Sequence, residues 1–278
     1  MQTGSSPCGH TLSGADVNLA RRIEAAECSS IIRIAEASLD SLAGFAVEPI
    51  AGGKAVFAGV GSPMTHAIGV GLQGDVPLEE LQRLERFFRD RGSACVVDLC
   101  PLAHPSVLFY FQTRPYRITE CNNVMVRPIS PDESFDIHPA ARRVAEADYR
   151  EWSSVVCRAF SEQMPITEDG IAMMSTTCKA SQGWMVVSNG PAAAAAMSID
   201  KGIAHFYGDA TLPWARRSGW HSSLIRARLG AAQQQGCQYA MASVMPGSQS
   251  HRNYERAGFQ LLYMRVNVVR EFETPASG

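Results

Sequence analysis

Gly208-Asp209-Ala210-Thr211-Leu212-Pro213-Trp214-Ala215-Arg216-Arg217-Ser218-Gly219-Trp220-His221-Ser222-Ser223-Leu224 is the stretch that decides how this chain folds. It joins a strand-like run, Ile203 to Leu212, to a helical one, Gly219 to Gln235, through a short basic loop. The first backbone N–H groups of a helix lack intrahelical partners, and the helix dipole adds partial positive charge there. Arg216 and Arg217 add full charges, Gly219 gives clearance, and Ser218 or Ser222 supplies a hydroxyl donor. Strand, basic glycine turn and helix start, in that order, make a site for a diphosphate. Trp220 and Leu224, at i, i+4 spacing, are expected to face the core.

Elements on either side extend this reading. Ala140 to Phe160 is read as a long helix and Asp169 to Lys179 as a shorter one. Trp184 to Val187 and Ala192 to Ile199 read as a hairpin across Asn189-Gly190, whose residues tolerate the positive φ of a tight turn. Gln238 to Val244 is a strand, Ser250 to Ala257 a short helix, and Phe259 to Arg270 the last strand. Upstream, Val17 to Ala43 has helical periodicity, and Phe45 to Ile50, Lys54 to Ala58 and Ala67 to Leu72 are strand-like. Pro77 to Arg91 is an amphipathic helix with Leu78, Leu81, Leu84, Phe87 and Phe88 on one face. Cys95 to Leu99 is a strand, His104 to Gln112 a helix, and Tyr116 to Arg127 a long strand.

The two halves close alike. In each, a helix ends at glycine (Gly92, Gly236) and is followed by a strand, a proline (Pro101, Pro246), a short helix and an aromatic residue (Tyr116, Phe259). A strand ending in arginine (Arg127, Arg270) completes both. This repeated order indicates duplication. The expected organisation is a disordered tail over 1–15, an α+β domain over 16–127, a proline-marked linker over 128–139, a second α+β domain over 140–272 and a tail over 273–278.

The basic segment resembles the coenzyme A loop of the GNAT superfamily of N-acetyltransferases, [Arg/Gln]-x-x-Gly-x-[Gly/Ala], and reads here Arg216-Arg217-Ser218-Gly219-Trp220-His221. His221 departs from the small residue of the pattern. Tyr254-Glu255-Arg256-Ala257-Gly258-Phe259 is similar to the superfamily's Tyr-Glu-x-x-Gly-Phe ending. The resemblance covers about Ala140 to Arg270 and implies tandem GNAT-like domains, each a mixed, mainly antiparallel sheet flanked by helices. It also implies that the strand before the loop splays from its neighbour and that a pantetheine arm lies in the gap. Backbone groups of Ala210, Thr211 and Leu212 would bind the arm, with Arg216, Arg217, Ser218, Gly219, Trp220, His221 and Ser222 around the diphosphate. The Thr211 N–H would polarise the thioester carbonyl, an effect worth about 3 kcal/mol in comparable sites. Tyr254 matches the usual general acid for the departing thiolate, since a neutral phenol can donate to it.

For the base, strand alternation puts Ile203, His205, Tyr207, Asp209 and Thr211 on one face, which makes Asp209 the first candidate and His205 the second. The first half lacks a comparable loop. Its Gln73-Gly74-Asp75-Val76-Pro77 has no arginine, and Asp75 and Glu79 would repel a diphosphate. That half is expected to bind no nucleotide, to cover the edge of the other sheet and to wall off the acceptor pocket.

Composition sets the bounds. Net charge is -2, which gives no general field for nucleic acid or an anionic membrane. No apolar run has membrane-spanning length, and Met1 to Gly14 has no signal-peptide core. The eight cysteines form no C-x-x-C pair, so no metal or disulfide framework is expected and the compartment is taken as the reducing cytoplasm. The function expected is transfer of an acetyl group from acetyl-CoA to the amine of a small molecule, by a monomer or homodimer. The alternative is a catalytically silent acyl-CoA sensor.

Overall fold

The two long strands that close the halves lie side by side in the middle of the sheet. The structure is a computed structural model and describes residues 16–37, 44–160 and 167–272; the expected tails and the end of the first helix, 38–43, lie outside the described residues. The first half contributes α1 (Val17–Ala37), β1 (Ala46–Ile50), β2 (Gly53–Phe57), β3 (His66–Ile68), α2 (Leu78–Arg89), β4 (Cys95–Leu99), α3 (Pro105–Gln112) and β5 (Arg117–Pro128). The second contributes β6 (Ala141–Arg143), α4 (Tyr149–Ala159), α5 (Glu168–Ala180), β7 (Gln182–Val187), β8 (Pro191–Asp200), β9 (Ile203–Thr211), α6 (Trp220–Gln234), β10 (Tyr239–Val244), α7 (Gln249–Arg256) and β11 (Gln260–Arg270). All the strands join in one mixed sheet of order β1-β2-β3-β4-β11-β5-β10-β9-β8-β7-β6. The fold is α+β, with helices on both faces.

The order shows an exchange. β11 pairs antiparallel with β4 of the other half, and β5 pairs antiparallel with β10 of the other half. The two exchanged strands then pair with each other from Gln260↔Val126 to Val269↔Arg117. Equivalent strands thus trade places about a pseudo-twofold, as identical elements do in a symmetric dimer. Sequence periodicity identifies these strands but says nothing about which neighbour each chooses.

α1 reinforces the junction. Its Leu19, Ile23 and Ala26 pack with Val124, Val126, Met241 and Leu262 from β5, β10 and β11. Beneath it Arg265, 2% exposed, donates to Glu24 (2.9 Å), Glu27 (2.6 Å) and Asp98 (3.3 Å). A buried guanidinium among three carboxylates ties α1, β4 and β11 together, and its loss would leave buried carboxylates without their cation.

One local expectation is corrected. The run read as one helix from Ala140 begins as strand β6, paired with Val186, Met185 and Trp184, and becomes helical only near Tyr149. The demand for a partner on the edge of β7 overrides helix propensity over those three residues. β8 is indeed a strand despite its alanines, and Ala192 to Ala196 are all fully buried. Their small side chains let helices close in on both faces, and the indole N–H of Trp152 on α4 reaches the Ala195 carbonyl at 3.1 Å.

The segment read as a linker is laid across α6. Gln233 donates to the carbonyls of Ser130 (2.8 Å) and Pro131 (3.0 Å), while Ile129 and Phe135 join the apolar core of α6 and α7. Gly230 makes room for it, since a Cβ there would come within 2.8 Å of Ile137.

Candidate active site

β9 and β10 run parallel and pair from Tyr239↔Ile203 only as far as Ala242↔Phe206. β9 continues to Thr211 and β10 to Val244, so the two strands diverge beyond that point. On its other edge β9 stays paired with β8, and Leu212 N–H donates to Ala192 at 3.0 Å. Antiparallel ladders alternate the direction of their amides, so the Thr211 N–H points into the gap, whereas that of Leu212 is already taken.

Beyond the strand the chain turns through Pro213–Ala215 and enters α6. Arg217 (φ 67°) and Gly219 (φ 79°) both take the left-handed conformation, which curls successive amides toward one side. Among the described residues, the N–H groups of Arg217 to Ser222 make no backbone hydrogen bond, and the helix has no side-chain cap. A Cβ added at Gly219 would meet nothing within 4 Å. These amides open on a cavity of about 720 Å³ that runs back to Asp209, Ala210 and Thr211. Of the residues expected to bind coenzyme, Ala210, Thr211, Arg216, Arg217, Gly219, Trp220, His221 and Ser222 line it. Leu212 is instead buried against α4, and Ser218 is not in the wall. Trp220 is half-buried and meets His138 edge-on, so its expected place in the core is only partly taken up; Leu224 is fully buried.

The candidate acid and bases are placed differently from the alternation argument. Gly208 (φ 65°) sits in a β-bulge, where the register slips between Ala194↔Ala210 and Ala196↔Tyr207. One extra residue reverses the facing of everything after it. His205 and Tyr207 therefore face α1 and α4, whereas Asp209 faces α6 and α7.

Asp209 meets a buried network. Arg228 of α6, 0% exposed, donates to its Oδ1, and the Tyr254 hydroxyl donates to its Oδ2 at 2.5 Å. His221 Nε2 lies 3.4 Å from Oδ1. Arg228 also donates to Ala196 O (3.0 Å) and lies over the Phe206 ring at 4.4 Å. Burial opposes the charge on Asp209, but the Arg228 guanidinium outweighs it and holds the carboxyl well below its usual range. A carboxylate so strongly stabilised is a poor proton acceptor at neutral pH, which removes the chemical reason for choosing Asp209 as base. His205, 6% exposed, is pushed down to about 4 by burial and does not line the cavity, so the second candidate also fails on position.

Tyr254 is fully buried and lies behind Asp209, outside the cavity wall. Burial raises its pKa, so the phenol is neutral, but its hydroxyl already donates its hydrogen bond to Asp209. His221 is likewise committed. Asn253 Oδ1 accepts from Arg256 (2.8 Å) and Gln249 (3.0 Å), which leaves Asn253 Nδ2 to donate to His221 Nδ1 at 2.8 Å. The imidazole thus fills the place of a small residue by bridging α6, α7 and the bulge. Sequence reasoning missed Arg228, which looks like one more helix residue, and Gln249, Ser250 and Arg256, which join the cavity from α7.

No protein-family model and no curated protein matches the sequence. Solved structures do. A GCN5-related N-acetyltransferase from Kribbella flavida is 16% identical with a TM-score of 0.67, over 92% of this chain and 96% of that one. One from Sphaerobacter thermophilus is 16% identical with a TM-score of 0.56, over 74% and 71%. A tandem GNAT protein from the clavulanic acid biosynthesis pathway is 11% identical with a TM-score of 0.55, over 92% and 96%. At such identities the likeness speaks to architecture, and it agrees with the splayed strands, the basic turn and the repeated halves: this chain has the tandem GNAT fold.

Proposed function

We propose that the protein is a coenzyme A-dependent acyltransferase that moves an acetyl group from acetyl-CoA to the primary amine of a small molecule. The observation that carries this is the row of open amides from Arg217 to Ser222, flanked by two arginines and continuous with a cavity that reaches the end of β9, past its last pairing with β10. The amides and guanidinium groups suit a diphosphate, Gly219 admits it close to the backbone, and the gap suits an extended arm. The coenzyme supplies an activated thioester. The Thr211 N–H is aimed to bind a carbonyl oxygen in the gap and stabilise the charge it gains. In the transfer the amine nitrogen bonds to the acyl carbon, the carbon–sulfur bond breaks, and one proton passes from nitrogen to sulfur.

Tyr254 remains the donor we assign to the sulfur. That role requires its hydroxyl to exchange Asp209 for the thiolate, because the ring is sealed behind the carboxylate. Until that exchange, Asp209 holds the phenol in place. Among the described residues of the cavity wall, Asp209 and His221 are both engaged by other side chains, so we take the amine to enter neutral.

Calorimetry with CoA at low salt tests the binding. Arg216→Ala with Arg217→Ala is expected to weaken affinity about tenfold or more, as loss of charge-assisted contacts would. Unchanged affinity overturns the diphosphate assignment. Release of free thiol from acetyl-CoA across a panel of amines tests the chemistry. Silence across the panel with intact binding would favour a sensor.

A further inference from the structure

A second depression continues from the cavity along α6 and α7. It holds about 440 Å³ and shares Ser222, Asn253 and Arg256 with the cavity. Its outer wall is the 129–136 segment pinned by Gln233, and Phe135 presents a ring there. Arg226, one helical turn beyond Ser222, and Arg256 at the end of α7 stand exposed on its rim. Arg127 lines its floor, ion-paired with Glu133 and 5.3 Å from the Phe135 ring, and its Nη1 is buried without a hydrogen-bond partner among the described residues. Asp136 is the other carboxylate in the lining. Three guanidinium groups thus face two carboxylates, one of them already neutralised by Arg127.

The direction of the coenzyme follows from the site. With the diphosphate on the α6 amides and the thioester end toward Thr211, the nucleotide end must leave by the opposite side. Ser222, on the first turn of α6, lines both the cavity and the groove, so the groove is a continuation open to that end. We propose that this groove is a phosphomonoester subsite, in which Arg226 and Arg256 bind the ribose 3′-phosphate of coenzyme A beside the Phe135 ring. The inference rests on the coenzyme reading given above and adds to it a basis for selecting coenzyme A over its dephosphorylated form. The segment joining the two halves then serves as one wall of the coenzyme site.

The test is calorimetric affinity for CoA and for 3′-dephospho-CoA in the full chain and in Arg226→Ala, since Arg226 lines the groove and not the cavity. The unaltered protein is expected to bind CoA about tenfold tighter, the effect of one charge-assisted contact. Arg226→Ala should lose most of that preference while keeping its affinity for 3′-dephospho-CoA within about twofold. Equal affinity of the unaltered protein for both ligands overturns the subsite. A preference that survives undiminished in Arg226→Ala overturns the assignment to this groove. Binding of neither ligand removes the coenzyme reading itself, which is a separate outcome.

Discussion

Arg228→Leu isolates the network that holds the bulge. Arg228 is 0% exposed and compensates a carboxylate whose side chain is only 13% exposed. Its removal leaves Asp209 with the Tyr254 hydroxyl at 2.5 Å and His221 at 3.4 Å, and leaves the Ala196 carbonyl without its guanidinium donor. Breaking a buried pair from one side costs about 3–5 kcal/mol, and the border with the cavity puts this case near the low end, about 3 kcal/mol. The loss should depend on pH. In the unaltered protein the depressed pKa of Asp209 contributes stability that is complete above the ordinary carboxylate value of 3.8 and is lost as pH falls below it. In Arg228→Leu the carboxyl titrates higher, so the variant recovers part of its deficit on going from about pH 8 to pH 4.5. Guanidinium unfolding at both values gives the numbers. Asp209→Asn in the same background should return about 2 kcal/mol, because no buried charge then remains. If Arg228→Leu cost the same with and without Asp209→Asn, the coupling between the two side chains would be refuted.

Tyr254→Phe should lower kcat about 10²-fold with the coenzyme dissociation constant little changed, and should cost about 1–3 kcal/mol of stability by leaving Asp209 Oδ2 unsatisfied. Undiminished turnover would show the hydroxyl to be structural only. His205, depressed to about 4, adds stability present above its unfolded value near 6.5 and lost as pH falls toward 4; a shift of that size is worth about 3 kcal/mol. His205→Gln should flatten the stability profile across that window, and an unaltered slope would contradict the burial argument. Cys28, Cys95, Cys100 and Cys178, each pushed up to about 12 by burial, should react with a thiol reagent only on unfolding. Rapid labelling of the folded protein at any of the four would contradict this.

Much of the site was legible because its chemistry is local. The order Arg216, Arg217, Ser218, Gly219 at a strand-to-helix turn needs no distant residue to define an anion cradle, and the amphipathic run of α2 was readable to within a residue or two at each end. The hairpin at Asn189-Gly190 likewise follows from two residues, both with positive φ in the structure. What escaped depends on partners far along the chain. One bulge at Gly208 turned the strand's polar face into two, which no alternation rule detects. Arg228 and Asp209 lie on different elements, and only their packing makes them a pair. β6 became a strand because β7 offered an edge, against the helical preference of its own residues.

The exchanged strands carry a consequence for biosynthesis. When β5 has left the ribosome, neither of its final neighbours, β10 and β11, has yet been made, and β4 likewise waits for β11. The early half must therefore persist with open edges until the late strands arrive, which links the maturation of both halves to one late event.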